Sequence, residues 1–172
     1  MIYESRTLGE SPFDFDISWP FPEGQRKLLE AAVTKIKIES ASQIDKFEES
    51  FNEEIAQHGY MWDKKDKSTC SLWRPDFRMS VDFYNAKEKI AVEIEKTEVK
   101  RIIHDVLKLV NGSLTFVPKV RYGVIIHPHT YKRTSGKESV FASRVVSEVS
   151  FYFRRLIGNT LLNDVLFIVY NF

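Results

Sequence analysis

Asp82, Glu93 and Glu95 are the side chains of this sequence whose types and spacing can do chemistry. Glu93 and Glu95 are two residues apart in an apolar stretch, so on a strand they point to the same face. Asp82 lies on the preceding segment, and folding the chain back near Ala86-Lys87 sets it opposite the neighbourhood of residues 91–93. Three carboxylates gathered on one patch repel one another and raise each other's pKa. A divalent cation relieves that conflict, and hard oxygen donors without His or Cys suit Mg²⁺ better than zinc. Such an ion lowers the pKa of a bound water, orients it and neutralises charge building on a phosphate, which is what phosphodiester hydrolysis needs. Solvated strand faces also carry Glu-x-Glu, so the elements around the acids must decide between the two readings.

Those elements read as a hairpin set among helices. Phe77, Met79, Val81 and Phe83 alternate with Arg78, Ser80, Asp82 and Tyr84, which is a strand period. Residues 85–88 are polar and turn-like, and Ile90, Val92 and Ile94 form one face of a second strand over 89–96. Upstream, Leu28, Leu29, Ala32, Val33 and Ile36 predict a helix over 24–38, and Ile44, Phe47, Phe51 and Ile55 a second from about Ser42 to His58-Gly59. Residues 68–74 suggest a short strand. Downstream, Thr97 is placed to cap a helix that buries Ile102, Ile103, Val106, Leu107 and Val110 and stops at Asn111-Gly112. A buried strand over 120–126, a polar loop over 127–137, a long helix over 140–157 and a last strand over 165–169 follow. The order α-α-β-β-β-α-β-α-β predicts an α/β fold, one central mixed sheet flanked by helices, in a single domain spanning 1–172. Residues 1–22, with Pro12, Pro20 and Pro22, read as an irregular N-terminal arm.

Composition narrows the class. The chain has 172 residues, 43% hydrophobic and 28% charged, which fits one globular domain rather than a disordered segment. A net charge of +1 provides no overall field toward nucleic acid or membrane, so any DNA contact has to come from a local basic rim. The lone Cys70 excludes an internal disulfide and a cysteine-based metal site, and suits the cytoplasm. No signal peptide and no membrane-spanning run is expected.

The stretch from Ser80-Val81-Asp82-Phe83 through Ile90-Ala91-Val92-Glu93-Ile94-Glu95-Lys96 resembles the core of the PD-(D/E)XK nucleases. It is most similar to type II restriction endonucleases of the BamHI/BglII kind, in which Glu or Gln replaces the lysine that ends the motif, as Glu95 does here. Residues 101–109 resemble the helix that follows the motif, and Val124-Ile125-Ile126-His127-Pro128 the next core strand and its exit. The resemblance implies a restriction-endonuclease-like core and a Mg²⁺-dependent endonuclease acting on double-stranded DNA as a homodimer. It implies that Asp82 and Glu93 bind the metal, and that Glu95 binds it or orients the attacking water. The sequence departs from the family pattern in two places. Val81 precedes Asp82 where the family has Pro, while Pro75-Asp76 makes Asp76 a rival first acid. Lys96 sits one residue past the usual lysine, on the opposite face of a regular strand. Related enzymes often add an acid from an upstream helix, a part that Glu53 or Glu54 could take.

Two further groups complete the reading. Lys100, His104 and Lys108 follow one helix face at four-residue steps; they read as a solvated face or as a stripe toward phosphate or a second subunit. The loop His127-Pro128-His129-Thr130-Tyr131-Lys132-Arg133 leaves the core strand, and Lys132 and Arg133 there could contact DNA phosphates or guanine edges. Its His-x-His pair has no companion zinc ligands. Phe141, Val145, Val149, Tyr152, Phe153 and Leu156 read as core. The same fold could also serve as a non-catalytic nucleic-acid-binding module or as a structure-selective repair nuclease.

Overall fold

The runs Val124-Ile125-Ile126 and Val165-Leu166-Phe167-Ile168-Val169 lack polar alternation, the mark of strands covered on both faces. In the computed structural model they form the middle of a six-stranded mixed sheet. The structure describes residues 2–10, 17–37, 44–65, 80–95, 99–115, 118–132, 138–140, 149, 152, 157 and 161–171. The strands of the sheet are β1 (Ile2–Thr7), β2 (Met61–Trp62), β3 (Phe83–Asn85), β4 (Ile90–Ile94), β5 (Tyr122–Pro128) and, after a separate ribbon of β6 (Thr130–Lys132) and β7 (Glu138–Val140), β8 (Asp164–Tyr170). Their spatial order is β1-β8-β5-β4-β3-β2. β4, β5 and β8 run parallel, while β1 and the β3 and β2 wing pair antiparallel.

The alternation of strand side chains builds two cores. On one face Phe83, Ile90, Val92, Ile94, Val124 and Ile126 pack with Leu29 and Val33 of α1 (Glu23–Lys35) and Phe47, Phe51 and Ile55 of α2 (Ile44–Ile55). On the other, Ala91, Ile125, Val165 and Phe167 pack with Ile102, Val106 and Leu109 of α3 (Val99–Thr115), the helix that carries the crossover from β4 to β5. This helix presses on β5 at Gly123, where an added Cβ would stand 2.6 Å from Leu109 Cδ1 and 3.3 Å from Val165 Cγ2. No helix among the described residues is long and apolar enough to cross a membrane.

Several expected elements differ. Residues 2–7 of the N-terminal arm are not irregular: they form β1 along the edge of β8. The buried Asp164 carboxylate ties the arm down, accepting from Phe21 N (3.1 Å) and Val165 N (2.8 Å) and from the backbone N–H groups of Leu8 and Gly9. Asn111-Gly112 does not stop α3, which continues to Thr115, because Val110 and Ser113 remain buried against the sheet and packing overrides the weak helix propensity of Asn and Gly. Its buried face is turned from the expected one: Asp105 and Leu109 go inside, whereas Leu107 is 44% exposed. The polar loop carries the β6–β7 ribbon, and Val140 closes β7 instead of opening a helix. Of the aromatic helix, Val149 is buried and Tyr152 exposed; its other named residues lie outside the described ones. The expected strand over 68–74 and the beginning of the first hairpin strand also lie outside them.

Candidate active site

The hairpin that positions the acids is built on Asn85. Its Oδ1 accepts from Glu88 N (3.1 Å) and its Nδ2 donates to His58 O (2.9 Å), joining the turn to the short helical turn that follows the second helix. Lys89 takes a left-handed conformation (φ 59), and its carbonyl accepts from Arg121 N and Tyr122 N, which fastens the turn to β5. The strands then pair Phe83 with Val92 and Tyr84 with Ala91. One more step along that register brings Asp82 across from Glu93. The Asp82 Oδ2 accepts from Ile94 N at 2.7 Å, so this half-buried carboxylate is pinned to the strand that carries Glu93.

Glu93 faces α3 and is 2% exposed. The helix meets it with a cation: the Lys108 ammonium donates to Glu93 Oε2 and stands 3.5 Å from Asp105 Oδ1 and 3.4 Å from Ser80 O. The second Glu93 oxygen, Oε1, is buried with no hydrogen-bond partner among the described residues. Burial and the neighbouring Asp82 push the Glu93 carboxyl well above its usual range, against the pull of Lys108. Burial raises Asp82 to about 6, opposed by Lys108 and the Ile94 N–H, with the charges of Glu48 and Asp63 adding to the rise. Burial works against the charge of Lys108, yet Glu93, Asp105 and Asp82 together hold its ammonium above the ordinary value. Such opposed shifts in one cluster are typical of functional sites.

Glu95 lies on the same face, one step further along, and has other company. Its backbone N donates to Ile126 O (2.9 Å), and its side chain shares a hydrogen bond with Asp105. Burial raises Asp105 to about 7, helped by the charges of Glu95 and Asp82 and by that bond. Beyond Glu95 sits His127, fully buried; burial lowers it to about 4, so the ring is neutral and its Nδ1 donates to Pro128 O at 3.0 Å.

The structure therefore brings Asp82 and Glu93 together and places Glu95 beside Asp105. Among the described residues no three His, Cys, Asp or Glu side chains group so as to hold one metal ion. Two carboxylates are still a sufficient protein share for Mg²⁺, which keeps waters and takes phosphate oxygens for the rest. The unbonded Glu93 Oε1 is the kind of donor such an ion needs, so the residues fit it. Glu53 is exposed and Glu54 pairs with Lys35 (2.5 Å), away from this cluster. A buried acid of α2 is Glu48, paired with Lys64 at 2.6 Å and close enough to act on Asp82. Spacing contained the signal, since residue 48 falls on the stripe of Ile44, Phe47, Phe51 and Ile55. Of the stripe read as solvated or as facing phosphate or a second subunit, His104 is exposed but Lys108 turns inward; helical spacing does not tell which charge, Lys108 and Asp105 included, is received inside. Lys132 ends β6, paired with Glu138 in the ribbon. Asp76, Lys96 and Arg133 lie outside the described residues.

Comparison with known proteins adds one match. A family described as "Putative halobacteria restriction endonuclease" covers residues 26–170, from α1 to the last residue of β8. No curated protein matches the chain.

Proposed function

The chain belongs to this restriction-endonuclease family, which points to a nuclease acting on DNA, and from that premise we propose a Mg²⁺-dependent endonuclease of the PD-(D/E)XK kind that hydrolyses double-stranded DNA. The observation that carries the reading is the half-buried Asp82 set against the buried Glu93 of β4, with one Glu93 oxygen left without a hydrogen-bond partner among the described residues. Asp82 and Glu93 are the metal ligands. Bound there, Mg²⁺ supplies a water of lowered pKa and offsets charge on the scissile phosphate. Without the ion, the chain holds the donors still: the Ile94 N–H fixes Asp82, and Lys108 fixes Glu93. Glu95, bonded to Asp105, orients the attacking water. Lys132, at the end of β6, and Arg133 contact the DNA. A symmetric homodimer is the working assembly, because two-fold symmetry in the protein mirrors a palindromic target.

One observation favours a second reading, a DNA-binding module that keeps the fold without the chemistry: the Lys108 ammonium already sits on Glu93. Supercoiled plasmid, linear duplex and branched DNA incubated with the protein in Mg²⁺ or in EDTA separate the possibilities. The proposal expects plasmid and linear duplex to be cut in Mg²⁺ and left intact in EDTA. Cutting confined to branched DNA would indicate a repair-type nuclease. DNA binding without cutting in Mg²⁺ or Mn²⁺ would establish the second reading.

A further inference from the structure

Lys108 is a long, flexible side chain at a place where its charge has to be argued for. Its side chain is 13% exposed, so water screens it little, and no apolar role requires an ammonium at its end. Three acids converge on that one cation: Glu93 through Oε2, Asp105 at 3.5 Å, and Asp82 through its charge. The fourth partner, Ser80 O, belongs to the segment leading into Asp82. Without a cation in their midst, these carboxylates could not stay close and ionised. Leu109, the next residue of α3, packs closely over Gly123 of β5, so Lys108 leaves the helix where it lies against the sheet.

We infer that Lys108 is a tethered stand-in for the metal: it balances the Asp82–Glu93–Asp105 cluster in the metal-free protein, and an incoming divalent ion displaces its ammonium from Glu93. The argument is electrostatic. An ammonium and a doubly charged ion on the same buried carboxylate repel each other, so the two occupancies compete. The competition gives the metal-free protein a folded, ready-made ligand pair, and it lowers the affinity for the ion. The displaced ammonium remains within reach of the same spot, next to where a phosphate would bind. This inference rests on the metal site proposed above.

Calorimetric titration with Mn²⁺ and thermal unfolding with and without Mn²⁺, on the unmodified chain, Lys108→Met and Lys108→Arg, test it. Lys108→Met is expected to unfold at lower temperature without metal, to bind Mn²⁺ roughly tenfold tighter, and to gain more from Mn²⁺ in melting temperature than the unmodified chain. Lys108→Arg keeps the charge and is expected to bind Mn²⁺ within a few-fold of the unmodified chain. If Lys108→Met folds only when Mn²⁺ is present, the stand-in role is supported in its strongest form. If it fails to fold even in saturating Mn²⁺, the ion cannot replace the ammonium and the inference is overturned. Mn²⁺ binding to the unmodified chain, with Lys108→Met no tighter, sinks this inference and leaves the metal site standing. Binding to neither chain sinks both.

Discussion

The two faces of β4 share one backbone and differ in what they bury. Toward α1 and α2 the strand presents Ile90, Val92 and Ile94, all within an apolar cluster that includes Phe47, Phe51 and Phe83. Toward α3 it presents Ala91, Glu93 and Glu95, and there the helix answers with Asp105 and Lys108 as well as Val106 and Leu109. Burial on the first face is favourable for every side chain it covers. On the second it opposes the charge of each acid, which is why the Asp82, Glu93 and Asp105 carboxyls all rise above their usual range. One face of the strand holds the sheet to its helices, and the other holds groups that would be easier to keep in water. That asymmetry, more than the presence of acids, is what supports the proposed site on the second face.

Substitutions can break the comparison, and the largest effects are expected on the acidic face. Asp82→Ala and Glu93→Ala should each reduce Mg²⁺-dependent DNA cutting by on the order of 10⁴-fold or more, the scale seen when a group central to the chemistry is removed. Circular dichroism should show both variants folded, and plasmid-cutting rates measure the loss. On the apolar face, Ile90→Ala should cost about 2–5 kcal/mol of stability while leaving the cutting rate per folded molecule unchanged. Denaturant titration alongside the same cutting assay reads both quantities.

The acidic face should also give the metal-free protein a distinctive pH profile. Asp82 near 6 and Asp105 near 7 lie above the 3.8 of an ordinary aspartate, so the folded protein holds protons that the unfolded chain has released. Their contribution to stability is complete below about pH 4 and is lost as pH rises through 6 and 7. His127, lowered to about 4, and His104, also lowered, act in the opposite sense as pH falls below about 6.5, against the raised carboxyls of Asp82, Glu93, Asp105 and Asp164. The melting temperature in EDTA should therefore be higher at pH 5 than at pH 8, and Asp105→Asn should flatten the change around pH 7. A melting temperature that climbs from pH 5 to pH 8 would contradict the burial of these acids.

Smaller effects sharpen the picture at its rim. Glu48→Gln removes a charge that acts on Asp82 without touching the ligands themselves, and should lower cutting by roughly tenfold, as partners one step removed from a metal commonly do. Glu53→Ala, on the exposed side of the same helix, should change stability by no more than about 0.5 kcal/mol and leave cutting as it was. An equal loss from both variants would remove Glu48 from the site.

Much of this was legible in the residues. The alternation of Ile90, Val92 and Ile94 marked the apolar face, and the short turn read at 85–88 placed Asp82 by Glu93, because a hairpin's register follows from its turn. The helices before β3 and after β4 were readable from their stripes. What could not be read was the choice among charges on a helix. Lys108 and His104 sit four residues apart, yet one enters the cluster and the other meets solvent, a difference that depends on how α3 rotates over Glu93. Asp105 lies among apolar neighbours only because Glu95 and Lys108 receive it. β1 was missed for a related reason: an edge strand needs a partner more than a pattern, and its partner β8 is over 150 residues away in the chain.

The most direct test of the central claim is anomalous diffraction from crystals of the protein soaked in Mn²⁺. The account predicts a single strong peak at roughly 2.0–2.6 Å, the usual hard-cation range, from one oxygen each of Asp82 and Glu93. A peak elsewhere, or none at full soaking with Lys108 still seated on Glu93, would contradict it.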